Sequence, residues 1–472
     1  MEPLGNKTYT QDFSSSPSLK CPSKATPFLR TYENSNYKYQ GPVPTTPPVT
    51  NWGSDFSCVD LTPSSPAPTS VHRLRPGDIK VVAALGDSAT VAVGAKAKNI
   101  LQLDKEYKGV SWSIGGDAAL DTVTTLPNIL KKFNPSLYGF SRGQGSLQKG
   151  FNMAVPGAKA FEIPGQVEAL INAMKTDKRV DFKNDWKVVT LFIGASDLCE
   201  FCLDRANLSP KNYSQHLMQS LDLLYTEVPR VLVNVLEVLQ MEGVRRIKED
   251  TLGCSVLQGY MCPCMLLPDD NSPELNEMRR VNHEYQAETE YLVSTGRYDN
   301  REDFTVVIQP FFRNSIVPLT GDGRPDQSYF SVDCFHFSER GHSEMAIALW
   351  NNMLEPVGRK QAYNNFTYDR NKIQCPTEDK PFIFTRINSL PSIPTIAPTF
   401  PEPSTGTTIA PIGTTTAPEP LCATSMPVWA APVLGVTGLL IGWCITWLIF
   451  SCRERRNRKE VENAAEMKGT NF

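Results

Sequence analysis

The chain has 472 residues, of which 40% are hydrophobic and 21% charged, a profile typical of a globular protein with room for one large core or two ordinary ones. Its formal net charge is -3 at pH 7 and no basic tract lies inside the globular part, so the sequence gives no reason to expect a nucleic-acid partner. The 37 prolines are unevenly placed, and their clusters mark the segments outside that part.

The first 40 residues contain a segment that is repeated near the other end of the globular part. Residues 21–35 match residues 375–389 at seven of fifteen positions. We therefore expect residues 1–40 to be the tail of a preceding repeat, and the chain to be the last unit of a longer tandem protein or a truncated product of it. Residues 41–71 are rich in Pro, Ser and Thr with little to bury, which predicts a linker.

The first strong element is the apolar, β-branched run at residues 79–88, which stops at the turn Gly86-Asp87-Ser88 and could open a helix at residues 90–99. A buried parallel strand leaves its next side chain at the carboxyl edge of the sheet, where open α/β folds keep their sites. Ser88 is therefore a candidate nucleophile, although an isolated Gly-Asp-Ser tripeptide is also ordinary turn chemistry.

Strand and helix patterns alternate along the rest of the globular part. Further strands are predicted at residues 150–155, 186–193, 230–235 and 304–308. Helices are predicted at residues 161–175, 209–227, 272–292 and 338–354. The alternation predicts a mostly parallel, three-layer α/β/α fold over residues 72–388.

The predicted strand ends and one later loop carry a set of residues suited to acyl transfer. Ser88, Gly157 and Ser196 follow strands, and Asp333 and His336 share a loop before the last helix. Acyl transfer needs a hydroxyl nucleophile, an imidazole base, a carboxylate that orients it and donors for the oxyanion. A lone histidine before a helix is more often a polar surface or capping residue, so the set and its order carry the hypothesis.

These residues resemble the GDSL or SGNH hydrolase family. The resemblance covers about residues 72–360 and is carried, in the family's order, by Gly86-Asp87-Ser88, Asn152 to Gly157, Gly194-Ala195-Ser196-Asp197 and Asp333-Cys334-Phe335-His336. It implies a hydrolase that needs no metal and no cofactor.

By position, the resemblance implies a role for each candidate. Ser88 would be the nucleophile and supply one oxyanion N–H, Gly157 a second N–H, His336 the general base and Asp333 its orienter. The family carries an Asn with a side-chain amide donor where this chain has Ser196. A hydroxyl is shorter and can be drawn to other acceptors, so this position puts the rate of catalysis in question.

Longer sequence matches at residues 71–76 and 333–342 make the resemblance strongest to membrane-anchored members of this family. The repeat, the Pro/Thr-rich stalk at residues 389–420 and the apolar anchor at residues 428–450 agree with this. It implies hydrolysis of fatty-acyl esters of glycerophospholipids and lysophospholipids at an apical, brush-border type surface. The alternative is a catalytically degenerate repeat that acts as a spacer or lipid-binding module.

The C-terminal part has the pattern of a membrane anchor. Residues 389–420 hold eight Pro and eight Thr with two charges, which predicts an extended stalk. Residues 428–450 are apolar and long enough to cross a bilayer, although a buried core helix is the other interpretation. Five basic residues follow within 453–459, which places the tail at 453–472 in the cytoplasm and the hydrolase domain outside, at the plasma membrane.

Ten of the 12 cysteines lie between Cys21 and Cys422, and outside the cell they favour disulfides. The pairs Cys199/Cys202 and Cys262/Cys264 could also form a four-sulfur zinc site, but the second spacing is one residue short of the usual knuckle.

Three sequons, at Asn207, Asn212 and Asn365, fit a glycosylated ectodomain.

Overall fold

The computed structural model of the chain describes residues 51–145, 147–247, 253–314, 317–320, 323–364, 366 and 370–390. Several predicted features lie outside these described residues: the repeat tail at 1–40, the stalk from residue 391 onward, the span at 428–450, the cytoplasmic tail at 453–472 and the sequon residue Asn365.

Four parallel strands form one sheet in the order β1-β2-β3-β4. They are β1 (Ile79–Gly86), β2 (Trp186–Phe192), β3 (Val231–Leu236) and β4 (Phe304–Gln309). Each is an almost wholly buried run of apolar and β-branched residues, as expected of parallel strands covered on both faces. The register pairs Gly86 with Phe192 and Leu236 with Gln309, so the carboxyl ends of the strands form one edge of the sheet, the carboxyl edge.

The predicted strand at residues 150–155 is wrong. The segment lies along β1, where Met153 N–H donates to the carbonyl oxygen of Ala84 at 2.9 Å and Val155 N–H to that of Gly86 at 3.1 Å. Its only bridge within the described residues is Ala84 with Asn152. The Asn152 side chain accepts from Ala154 N–H at 3.2 Å, and such a local bond competes with a continuous ladder.

The helices alternate with the strands as the sequence predicts. They are α1 (Ser88–Val91), α2 (Leu126–Phe133), α3 (Ile163–Thr176), α4 (Ala195–Glu200), α5 (Pro210–Glu227), α6 (Gln258–Met261), α7 (Pro263–Leu266), α8 (Pro273–Ser294), α9 (Glu339–Met353) and α10 (Arg386–Ser389). Short 3-10 helices occur at Val71–Arg73, Pro76–Asp78, Ile100–Gln102, Lys108–Val110, Ala160–Glu162, Met241–Arg246 and Gln327–Tyr329, and a π-helical turn at Gly253–Leu257.

The helix expected at residues 90–99 is a single turn. Ala92 caps α1 in the left-handed conformation with φ 58°, and Gly94 follows with φ 65°. L-residues cannot continue a right-handed helix through such a conformation, so the chain leaves α1 after Val91.

The sheet lies between two layers of helices. One hydrophobic core joins Val81, Ala83 and Leu85 of β1 to apolar residues of α3, α5 and α8. The other joins Val82 and Ala84 to apolar residues of α2 and α9. Burial on both faces gives the α/β architecture with a parallel sheet that the sequence predicts.

Disulfides hold the described cysteines. The pairs are Cys58–Cys375, Cys199–Cys262, Cys202–Cys264 and Cys254–Cys334. The disulfide prediction is confirmed for these eight residues. The zinc alternative is wrong, because all four of its thiols are consumed by disulfides.

Residues 51–70, assigned to a linker by the sequence, contact the domain in this structure. Trp52 N–H donates to the carbonyl oxygen of Thr122 at 3.1 Å and Ser54 N–H to that of Leu120 at 2.7 Å. Cys58 bonds to Cys375 at the far end of the domain.

In the part of the chain that the structure describes, no helix has the length and apolar character needed to span a membrane.

Candidate active site

Ser88 lies at the carboxyl edge, as the first residue of α1 directly after β1. Asp87 caps α1 by accepting a hydrogen bond from Ala89 N–H at 3.0 Å. Gly86 has φ 151°, and a Cβ there would lie 2.3 Å from the carbonyl oxygen of Phe192. Only glycine therefore fits where β1 meets β2, and this close approach fixes the position from which Ser88 projects.

Asp333 and His336, the other two candidate residues, approach Ser88 from the loop before α9. Ser88 Oγ lies 3.0 Å from His336 Nε2, and His336 Nδ1 lies 2.6 Å from Asp333 Oδ2. Both distances are within hydrogen-bond range. The prediction that these three side chains form one hydrogen-bonded chain is confirmed.

Asp333 is held as a carboxylate. It is fully buried, and its Oδ1 accepts from the backbone N–H groups of Phe335 at 3.1 Å and His336 at 3.0 Å. Burial alone would raise the pKa of this carboxyl, but the hydrogen bond and charge of His336 and the two backbone donors outweigh it, and the pKa lies below its usual range. A buried carboxylate bonded to Nδ1 can orient an imidazole and stabilise its protonated form.

The loop of Asp333 and His336 is held in place by four contacts that sequence reasoning missed. Ser331 Oγ donates to the carbonyl oxygen of Gly94 at 2.7 Å, and Ser331 N–H donates to that of His336 at 2.7 Å. Cys334 forms the disulfide with Cys254. The Gln258 amide donates to the carbonyl oxygen of Cys334 at 2.9 Å.

Of these contacts, only the cysteine within the Asp-x-x-His motif gave a sequence signal. It did not identify its partner, since disulfide pairing depends on the fold.

The predicted oxyanion donors lie near the same edge. Val155, two residues before Gly157, is hydrogen-bonded to Gly86, and Ser196 lies in the first turn of α4 after β2. Gly157 has φ 74° with open space beside its Cα. Within the described residues, the backbone N–H groups of Ser88 and Gly157 and the hydroxyl of Ser196 have no hydrogen-bond acceptor. Ser88 and Ser196 are half-buried and Gly157 is exposed.

Two buried carboxyls lie behind these residues and were not predicted as functional. Burial raises the pKa of Asp87 to about 6, against the hydrogen bond from Ala89 and the charge of His336. Burial also raises the pKa of Asp197 to about 7, against the hydrogen bonds from Ala160 N–H at 3.0 and 3.1 Å; the charge of Asp87 raises it further. Burial thus favours the neutral form of both carboxyls.

A groove of about 570 Å³ borders the loop of the candidate base. One wall comes from the segment after α1 and includes Lys98 and Ile100. The other includes Cys254, Phe330 and Cys334. From the loop of Asp333 and His336, Ser331 and Cys334 line the groove.

Among the described residues, no group of three His, Cys, Asp or Glu side chains is arranged to hold a metal ion. Asn207 is exposed, and Asn212 is half-buried at the start of α5, where its amide donates to the carbonyl oxygen of Ala206 at 2.9 Å.

The sequence matches a family model described as GDSL-like Lipase/Acylhydrolase over residues 82–349. This range is more than half of the chain and contains every residue of the candidate site. The chain belongs to the GDSL-like lipase/acylhydrolase family.

Within this class the similarity is high to membrane-associated phospholipase B1. The chain is 49% identical to that protein of Rattus norvegicus over 389 residues, which are 82% of this chain and 26% of the relative. It is 44% identical to that of Homo sapiens over 460 residues, which are 98% of this chain and 29% of the relative. The chain thus spans little more than a quarter of the length of these relatives.

Among solved structures, the chain is similar to a putative GDSL-like lipase from Parabacteroides merdae and to LAE5, an alpha/beta hydrolase enzyme from the metagenome of Lake Arreo. Each is 13% identical and covers 58% of this chain and 94% of its own, with TM-scores of 0.30 and 0.31. At these TM-scores the likeness adds nothing to the functional assignment.

Proposed function

We propose that this domain is a carboxylic ester hydrolase that releases fatty acids from glycerophospholipids and lysophospholipids through an acyl-enzyme on Ser88. The observation that carries the proposal is the hydrogen-bonded chain from Ser88 through His336 to the buried Asp333. The protein belongs to a lipase family, and these hydrogen-bonded residues stand at the positions that the family motif predicts.

The reaction follows from the order of these contacts. Ser88 Oγ attacks the ester carbonyl carbon while His336 Nε2 takes its proton, and Asp333 stabilises the imidazolium through the bond to Nδ1. The imidazolium then returns the proton to the leaving alkoxide, which departs as the alcohol. Water, activated by the same imidazole, releases the fatty acid from Ser88.

Developing negative charge on the carbonyl oxygen requires donors that are already in place. The unoccupied N–H groups of Ser88 and Gly157 and the hydroxyl of Ser196 support this role. Removal of one such donor in other hydrolases costs about 100- to 1,000-fold in turnover. With a hydroxyl in place of the family's amide, we expect a slower enzyme rather than an inactive one.

The proposed substrates come from the relatives, which are named as phospholipases. Their membrane association, the apolar segment at 428–450 and the basic cluster after it support attachment by one span, with the domain outside the plasma membrane. Four disulfides support an oxidising compartment. An apical, brush-border type surface, no required metal and no cofactor remain part of the proposal.

Release of fatty acid from phosphatidylcholine and lysophosphatidylcholine by the full chain tests the function. Wild-type chain should release fatty acid from both, and Ser88→Ala should release none above the uncatalysed rate. Equal release by the two chains would contradict the proposal.

The absence of the family's Asn at Ser196 favours a second candidate, a degenerate repeat that keeps the fold as a spacer or lipid-binding module. This candidate predicts binding of phospholipid without hydrolysis by wild-type chain. The unbroken series of hydrogen bonds at Ser88 argues against this second candidate. Burying the charged Asp333 costs free energy, and a site without catalytic activity gains nothing in return.

A further inference from the structure

We propose that exposed apolar side chains beside the groove dock the domain onto the surface of phospholipid aggregates. These side chains, here called the apolar rim, are Ile100, Leu101, Val256 and Tyr260. The occupant follows from the proposed ester hydrolysis of phospholipids, on which this inference rests. It adds to that function a surface that no motif of the family assigns.

The rim residues are unusually open to solvent for their type. Leu101 is 83% exposed, Tyr260 80% and Val256 56%. Single exposed apolar residues are normal on protein surfaces, but a cluster of them marks an interaction site.

The groove that borders the loop of Asp333 and His336 also borders the two segments that carry the rim. Ile100 and Cys254 line the same groove, and Leu101 follows Ile100 in one 3-10 helix. Val256 lies in the same π-helical turn as Cys254, and Tyr260 lies in α6, which follows that turn. Cys254 is bonded to Cys334 in the loop of Asp333 and His336. The rim residues therefore belong to the two chain segments that wall the groove.

The charges at the groove favour a phosphate-bearing surface over a purely apolar partner. Lys98 is exposed and lines the groove, and among the described residues its ammonium has no ion-pair partner. Its neighbour Lys96, in contrast, pairs with Glu339 at 3.3 Å. An unpaired cation that lines the same groove as Ile100 matches the interface of a bilayer, where phosphates lie above the acyl chains.

The first experiment compares turnover of the full chain on phosphatidylcholine vesicles with turnover on a short-chain ester dissolved below its critical micelle concentration. Every variant keeps the same C-terminal segment, so attachment through that segment does not differ between them. For Leu101→Asp combined with Tyr260→Asp we expect the ratio of vesicle to dissolved-ester turnover to fall at least tenfold. Turnover on the dissolved ester reports whether the variant has folded.

Val59→Asp is the matched control. Val59 is 97% exposed and adjoins Cys58, which is disulfide-bonded to Cys375. The residue before Cys375 accepts a hydrogen bond from Trp350 in the last turn of α9. Because α9 begins directly after the loop of Asp333 and His336, Val59 lies towards the opposite end of this helix. Its substitution should change the ratio less than twofold.

A second experiment is independent of hydrolysis. In the Ser88→Ala chain, an environment-sensitive dye attached through Leu101→Cys should be quenched by brominated phospholipid in vesicles, and a dye at Val59→Cys should not, after subtraction of the parent chain. If the dye at position 101 is quenched but the wild-type chain hydrolyses no lipid, the proposed function is wrong and the docking surface is still supported.

Equal quenching at the two positions together with an unchanged turnover ratio would overturn the docking proposal. So would a rim variant that changes only the sedimentation coefficient, because the rim would then be an interface between two copies of the chain.

Discussion

The hydroxyl of Ser331 donates a hydrogen bond of 2.7 Å to the carbonyl oxygen of Gly94, and this bond connects the loop of the proposed base to the segment after the proposed nucleophile. The backbone N–H of the same serine donates to the carbonyl oxygen of His336, also at 2.7 Å. One residue thus helps to set the 3.0 Å distance between Ser88 Oγ and His336 Nε2.

Ser331→Ala should lower kcat about tenfold with a smaller change in KM, because a misplaced base costs rate more than binding. The free energy of unfolding should fall by about 1 kcal/mol for the lost hydrogen bond. Ser343→Ala is the control, since its hydroxyl also donates to backbone oxygens, those of Trp52 and Glu339, but not to the loop of Asp333 and His336. A similar fall in kcat for both variants would mean that Ser331 has only a general structural role.

Loss of the Cys254–Cys334 disulfide should reduce turnover, because Cys334 lies between Asp333 and His336 in the catalytic loop. We expect Cys254→Ser to lower kcat at least fivefold, an order-of-magnitude expectation for loosened positioning. Cys58→Ser removes a disulfide remote from the loop and should lower the melting temperature with little effect on kcat. Unchanged kcat in folded Cys254→Ser would show that the disulfide does not position the base.

The pH dependence of stability should carry the signature of Asp197, whose pKa burial raises to about 7. A carboxyl with a raised pKa binds its proton more tightly in the folded state, so its stabilising contribution is complete at low pH. That contribution is lost as the pH rises from about 4, the unfolded value, to about 7.

Asp197→Asn removes this titration and keeps an oxygen that can accept from Ala160 N–H. The difference in free energy of unfolding, wild type minus variant, should fall by more than about 1 kcal/mol between pH 4 and pH 7. Urea titrations at several pH values measure it. A difference that stays flat or rises with pH contradicts the assignment.

Ser196→Asn restores the amide donor of the family pattern at the start of α4. Turnover on lysophosphatidylcholine should rise about tenfold or more, since one well-placed oxyanion donor is worth about 100-fold or more. Ser272→Asn offers a control at the N-cap of α8, a helix end that serves no oxyanion. No gain for Ser196→Asn would mean that the hydroxyl already serves the oxyanion or that this position does not face it.

The parts of the fold that depend on local pattern could be predicted from the sequence. The runs that become β1 to β4 are apolar and β-branched, and α3 has the apolar spacing of a helix. Helices α5, α8 and α9 each begin after a capping serine. The order of these elements gave a parallel α/β sheet. The triad residues could be predicted because each occupies a strand end or loop in a fixed order.

Other features depend on contacts that no local pattern records. The side chain of Asn152 interrupts a strand that its neighbours predict, and the left-handed Ala92 ends α1 after one turn. The pairing of Cys254 with Cys334 and the approach of Gln258 join segments far apart in sequence.

The most direct test of the central proposal is active-site labelling of the folded full chain by a fluorophosphonate, with the modified residue identified by mass spectrometry. The reagent is attacked by an activated serine hydroxyl, so it reports the pairing of Ser88 with His336 without any choice of lipid. We expect one label per chain on Ser88, and labelling at least 100-fold slower in His336→Ala, as expected for loss of a general base. Folded wild-type chain that takes up no label at Ser88, or labels as fast without His336, would contradict the account.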